Sequence, residues 1–158
     1  RAHHGFGMKI MVQNRSRVSP DILNQCDATQ VDTVDELLPQ CDFISLHCPG
    51  GAANRHLINS RRLDLMKPDA YLINTARGEV IDEFALIPAL MFDSLGGAAL
   101  DVFDGEPRIS PDLLQCDNLV MLPHLGSATR ESREAMGFRV LDNLNDFFAG
   151  RAPRDQVI

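Results

Sequence analysis

Tyr71-Leu72-Ile73-Asn74-Thr75-Ala76-Arg77-Gly78 decides how this chain is read. A short apolar run stops at Asn74 and gives way at once to a polar loop that carries Arg77. The same form returns in Ala98-Ala99-Leu100-Asp101-Val102-Phe103, running on to Glu106-Pro107, and in Leu119-Val120-Met121-Leu122-Pro123-His124-Leu125-Gly126. Each reads as a buried strand that ends in a loop with one functional polar residue. An arginine, a glutamate and a histidine presented from successive strand ends are the set that acid–base chemistry on a small carboxylate substrate requires.

Outward from these segments, strands alternate with helices, which predicts an α/β fold with a parallel sheet covered on both faces. Residues 8–12 form the first strand and 13–17 a loop; helices are expected over 19–26 and over 34–40, the latter capped by Asp32 or Thr33. The next strand is 43–47, after which Ser60 caps a helix through Met66 that Pro68 stops. Strands ending at Asn74, Asp101 and Leu122 then alternate with a helix starting near Asp82, in which Pro88 predicts a bend at about Leu86. Ser127 to Ala149 reads as one long helix with Gly150 as its stop.

The three polar residues have distinct chemical uses. The planar guanidinium of Arg77 can grip a carboxylate bidentately, which fixes both its position and its rotation. Histidine is the side chain whose ordinary pKa lies near neutrality, which makes His124 the candidate proton donor and acceptor. Glu106, folded against that ring, would hold its tautomer and favour the imidazolium.

Composition narrows the class. With 22 acidic against 15 basic residues the net charge is −7, which argues against a nucleic-acid or anionic-membrane surface. The chain has 158 residues, 44% of them hydrophobic, enough for one sizeable core. No apolar run approaches the ~20 residues of a membrane span. The start, Arg1-Ala2-His3-His4-Gly5, lacks a signal-peptide core, so a cytoplasmic protein is expected. Cys26, Cys41, Cys48 and Cys116 have no C-x-x-C or Cys/His ligand spacing, which predicts reduced thiols and no metal site. His3, His4, His47 and His56 lie outside the motifs and are assigned surface or packing roles.

Asn74-Thr75-Ala76-Arg77-Gly78 with Val80 and Asp82, Leu100-Asp101-Val102-Phe103 with Glu106-Pro107, and Pro123-His124-Leu125-Gly126-Ser127-Ala128-Thr129 resemble the signatures of the D-isomer-specific 2-hydroxyacid dehydrogenases. The resemblance runs from Gly5-Phe6-Gly7-Met8-Lys9 to Phe147-Phe148-Ala149-Gly150. It implies a Rossmann-like doubly wound parallel sheet, a nicotinamide dinucleotide cofactor and a homodimer when intact. By the same resemblance Arg77 binds the substrate carboxylate and helps hold the nicotinamide, His124 is the acid–base residue, and Glu106 orients it. Cys48-Pro49 would lie near the adenosine side, Thr75-Ala76 near the nicotinamide, and Asp101 would accept from its carboxamide, while Gly126 would permit close backbone approach. The implied reaction is reversible reduction of a small 2-oxo acid to the D-2-hydroxy acid. The turn Asn14-Arg15-Ser16 and the loop His47-Cys48-Pro49-Gly50-Gly51 look most like those of glyoxylate and hydroxypyruvate reductases. A cofactor-binding corepressor-like interaction protein and an inactive truncated fragment are the alternatives.

Cofactor choice can be read from residues. NAD-selecting units place an acid after the second strand to accept from the ribose 2′-OH, whereas an arginine there pairs with a 2′-phosphate. Asn14-Arg15-Ser16-Arg17 contains no acid, so NADP(H) is expected over NAD(H), with Arg15 on the phosphate and Asn14 and Ser16 beside it.

One part of such a unit is missing from the sequence. Its opening strand, G-x-G-x-x-G turn and helix do not occur, because Gly5-Phe6-Gly7 is too short and precedes a strand. Residues 1–4 would be the last turn of that helix and Gly5 its stop. The expectation is therefore an N-terminally truncated sheet without its first strand and glycine-rich loop. Residues 1–126 would form an incomplete dinucleotide-binding domain, and 127–158 a helix and tail returning to an absent substrate domain. In the strand order 3-2-1-4-5-6 the absent strand is central, so the strands at 8–12 and 43–47 either close on each other or leave open edges.

Overall fold

A computed structural model describes residues 2–157, in two compact units, Arg1–Leu122 and Pro123–Ile158. In the first unit every strand pair is parallel. Strand β1 (Ile10–Gln13) pairs with β2 (Ala28–Val31), and β3 (Phe43–Leu46), β4 (Tyr71–Asn74), β5 (Gly97–Leu100) and β6 (Leu119–Met121) form a second sheet in that order. The register puts Phe43 opposite Tyr71 and Tyr71 opposite Gly97.

The two sheets share no ladder, so β1 and β3 do not close on each other. Read across, β2-β1 and β3-β4-β5-β6 are the order 3-2-1-4-5-6 without its first strand. Strand β2 was not expected from the sequence, because Ala28-Thr29-Gln30-Val31 holds too few large apolar residues to mark itself. A side chain secures it instead: Gln30 Oε1 accepts the Val18 N–H at 2.9 Å and Gln30 Nε2 donates to Ser16 O at 3.1 Å.

Short helices connect the strands, and several boundaries differ from the sequence reading. Helix α1 (Ala2–Phe6) runs through Gly5 and ends at Gly7, whose φ of 65° only glycine adopts freely and whose N–H meets His3 O at 2.8 Å. Helix α2 (Pro20–Cys26) follows Ser19. Helix α3 (Val34–Leu37) is capped by Thr33, which accepts the Glu36 N–H, and tightens into a 3₁₀ turn over Leu38–Gln40. Asn59 rather than Ser60 caps α4 (Ser60–Leu63), because its carboxamide reaches the Arg62 N–H. Helix α5 (Glu83–Met91), capped by Asp82, continues as one element through Pro88, which lies on its exposed side. Between β5 and β6 the chain makes only a 3₁₀ turn at Leu113–Gln115.

The core lies on one face of the larger sheet. Ile44, Leu46 and Leu72 point into it and meet Leu38, Ile58, Ile81, Leu86 and Leu90. Full burial of each such side chain contributes about 1.5–3 kcal/mol. The other face is not covered as expected: Phe43 is 54%, Tyr71 46% and Val120 61% exposed, and the Phe43 and Tyr71 rings stack at 5.5 Å. The burial pattern of β3, exposed and buried by turns, is that of a sheet with one wet face rather than two dry ones.

Ion pairs brace the helices. Asp35 on α3 meets Arg61 at 2.7 Å and Arg62 at 2.8 Å, and these hydrogen bonds hold its carboxyl at about 2, down from 3.8. All four cysteines are free thiols. Among the described residues no group of three or more His, Cys, Asp or Glu side chains could hold a metal ion, and no helix is long and apolar enough to cross a membrane.

The second unit is built on α6 (Arg130–Phe148). It starts later than the sequence predicted, because Thr129 takes the capping position and accepts the Ser132 N–H at 3.2 Å. Gly150, at φ 71°, ends it. The tail folds back onto the helix through Arg151 on the mostly buried Asp146 at 2.6 Å and Asp155 on Arg139 at 2.7 Å. Hydrogen bonds from Asn143 and Arg139 hold the Asp155 carboxyl below its ordinary range.

Candidate active site

The loop after β4 is shaped by a residue the sequence reading treated only as the strand's last. Asn74 is fully buried; its Oδ1 accepts the Ala76 N–H at 3.0 Å and its Nδ2 donates to Arg77 O at 2.9 Å. These bonds close a tight turn that leaves the Arg77 side chain exposed, with Nη1 donating to Ala76 O at 2.7 Å. An asparagine at a strand end followed by small residues was the signal that could have revealed it.

Beside this turn lies the end of β3. His47, Cys48, Pro49, Gly50, Thr75, Ala76, Arg77 and Glu79 line a cleft of about 670 Å³. Five residues proposed from sequence, Cys48, Pro49, Thr75, Ala76 and Arg77, thus share one wall system. His47 and Glu79 join them unforeseen; His47 Nε2 lies 2.9 Å from Ser45 Oγ. Burial pushes the Cys48 thiol up, so it stands in the cleft as a neutral group rather than a thiolate.

The loop after β5 abuts the same turn. Asp101 is buried and its backbone N–H donates to Asn74 O at 2.9 Å. Gly78 packs so closely on the Phe103–Asp104 backbone that a Cβ there would collide with it. Glu106 is exposed, and its Oε1 accepts the Phe103 N–H at 2.8 Å. Glu83, at the start of α5, accepts the Asp104 N–H at 2.7 Å, and burial pushes its carboxyl up.

Asn14, Arg15 and Ser16 follow β1, where Asn14 Nδ2 donates to Ser16 O and Oγ, both at 3.2 Å. Arg15 is exposed and pairs with no carboxylate among the described residues, whereas Arg17 lies 3.8 Å from Asp32. His124 and Gly126 belong to the second unit, where His124 is exposed with a left-handed φ of 55° and Ala128 N–H donates to Leu125 O.

Residues 1–126 match the family model of the D-isomer specific 2-hydroxyacid dehydrogenase, NAD binding domain. The chain belongs to this family. A nicotinamide dinucleotide is the cofactor class of that domain, and the parallel sheets with their helices are Rossmann-like. Among relatives, a glyoxylate reductase of Thermococcus litoralis is 46% identical over 153 residues, covering 97% of this chain and 46% of the relative. A glyoxylate/hydroxypyruvate reductase B of Enterobacter agglomerans is 41% identical over 158 residues, covering 99% of this chain and 48% of the relative. Among solved structures, an NADPH-dependent glyoxylate/hydroxypyruvate reductase of Sinorhizobium meliloti, in complex with NADP and malonate, aligns with a TM-score of 0.84 at 33% identity, over 92% of this chain and 44% of that one. The chain spans about half the length of the dehydrogenase relatives it matches.

Proposed function

We propose that this chain carries the cofactor-binding and acid–base part of an enzyme that reversibly reduces a small 2-oxo acid, glyoxylate or hydroxypyruvate, to the D-2-hydroxy acid. The observation that carries the reading is the buried Asn74 turn, which sets an exposed Arg77 on the wall of the 670 Å³ cleft. The names of the relatives support the same substrate class.

The cleft lining suits a dinucleotide: Cys48, Gly50, Thr75 and Ala76 are small, and Arg77 is its guanidinium. Thr75 and Ala76 would hold the nicotinamide with Arg77 and His124, Asp101 would accept from its carboxamide, Cys48 and Pro49 would flank the adenosine, and Gly126 would let backbone approach. When bound, the nicotinamide supplies the hydride. Arg77 grips the substrate carboxylate bidentately and so fixes the orientation of the carbonyl. His124, protonated, gives its proton to the developing alkoxide, and Glu106 favours that protonated form. In the reverse direction His124 takes the proton back.

NADPH is preferred over NADH in this reading. The support is Arg15, exposed, clear of carboxylates among the described residues, and braced by the Asn14–Ser16 bonds. We further read 1–126 as the dinucleotide-binding unit, 127–158 as a helix and tail that return to a substrate domain, and the working enzyme as a cytoplasmic homodimer.

The test is NADPH and NADH oxidation with glyoxylate and hydroxypyruvate, by this chain and by a fusion placing the N-terminal half of the Thermococcus litoralis relative before it. Turnover that prefers NADPH and is lost in His124→Ala is the expected result. Turnover that survives His124→Ala overturns the acid–base assignment, and nucleotide binding without turnover in either protein overturns the reductase reading.

A further inference from the structure

One guanidinium that the proposed chemistry does not use spans the loops after β4 and β5. Arg55 lies between β3 and α4; its Nη1 is 3.7 Å from Glu79 Oε2 and its Nη2 donates to Asp104 Oδ2 at 3.2 Å. Glu79 follows Arg77 by two residues, and Asp104 precedes Glu106 by two. The side chain therefore joins the loop that carries Arg77 to the loop that carries Glu106.

Its carboxylate partners are themselves fixed. Glu79 Oε1 accepts the Gly51 N–H at 2.6 Å, and Glu79 O accepts the His56 N–H at 2.8 Å. A side chain at Gly50 would collide with the Glu79 carboxylate, so the glycine loop and Glu79 are in direct contact. Asp104 is held from behind by Glu83 through its backbone N–H. His56, with a left-handed φ of 51°, sets its ring between Asp82 and Asp104, at 3.9 and 3.8 Å.

There is also an electrostatic reason for the arrangement. Glu79 shares the cleft wall with Arg77, and an uncompensated carboxylate there would repel an anionic substrate and compete for the arginine. The Gly51 N–H and the Arg55 guanidinium supply that compensation.

We propose that Arg55 is a positioning residue that, through Glu79 and Asp104, sets the spacing of the Arg77 and Glu106 loops and neutralises Glu79 at the cleft. Its catalytic consequence rests on the function proposed above; the coupling of the loops does not. Hydrogen exchange of the Gly51 and Asp104 amides in the whole chain reads the coupling. Arg55→Ala should speed both by about fivefold, the scale of an ion-pair network, and Arg55→Lys should restore much of the protection. Glu79→Ala should speed the Asp104 amide across the strap and lose that effect when Arg55 is already alanine. Unchanged exchange at either amide in Arg55→Ala, or an Asp104 amide indifferent to Glu79→Ala, overturns the coupling. In the fusion protein Arg55→Ala should raise the KM for glyoxylate about fivefold with a smaller change in kcat, and Arg55→Lys should recover it. If exchange responds but the unsubstituted fusion has no turnover, the coupling stands and the reductase reading fails. If turnover is present and KM ignores Arg55→Ala, the positioning role fails.

Discussion

The four-stranded and two-stranded sheets are held by different forces. Strands β3, β4 and β5 each bury at least two side chains, whereas β1 and β2 bury none and depend on parallel pairing and the Gln30 carboxamide. The candidate residues divide along the same line. Arg77 and Glu106 leave the packed sheet, where a fixed core can hold a carboxylate clamp to the tolerance that proton transfer needs. Arg15 leaves the lightly packed sheet, and a charge recognising a phosphate works over a longer range than a reacting bond does.

The largest effect should come from the packed sheet. Leu72→Ala should cost about 3 kcal/mol of unfolding free energy in urea titration, and Val12→Ala on β1 less than about 1 kcal/mol; equal costs would break the contrast. Next, Asn74→Ala should cost about 2 kcal/mol, because it leaves the Ala76 N–H and Arg77 carbonyl without their buried partner. A loss within about 0.5 kcal/mol would mean that the turn closes without it.

On the lightly packed side, Arg15→Asp should leave unfolding unchanged within about 0.5 kcal/mol, since the side chain is exposed. It should also shift the ratio of kcat/KM for NADPH over NADH by about tenfold towards NADH, measured in the fusion protein. An unchanged ratio removes Arg15 from the cofactor site.

The smallest effect concerns the link between the regions. Helix α3 touches β1 and β2, and its Asp35 pairs with Arg61 and Arg62 on α4, beside the larger sheet. The folded state holds Asp35 below its ordinary value, so its contribution is full above about pH 4 and is lost as pH falls through about 2. Asp35→Asn should therefore lower the thermal midpoint at pH 7, with a difference that shrinks as pH falls from about 4 to about 2. A difference independent of pH would show that the pairing does not link the two regions.

Much of this was legible because strand ends write themselves compactly. The apolar runs at Tyr71, Ala98 and Leu119 end where polar residues begin, so three strands and their loops could be located without contacts. Strand β2 could not, because its placement follows from pairing with β1 rather than from its own residues. Boundaries at Gly7, Asn59 and Thr129 shifted for a common reason: the cap is whichever side chain or left-handed glycine meets the free backbone groups, and its neighbours compete for that place.

By itself the sequence determined the parallel α/β class, the family, and the identity of the arginine, glutamate and histidine proposed for the chemistry, because local motifs carry these. Only the tertiary structure decided that the strands at either side of the sheet division do not pair with each other, that one face of β3 and β4 is wet, and that Asn74 builds the Arg77 turn. It alone also brought Arg55 between Glu79 and Asp104, residues 24 and 49 positions away. Such contacts join loops through side-chain length and approach angle, quantities that no periodicity along the chain encodes.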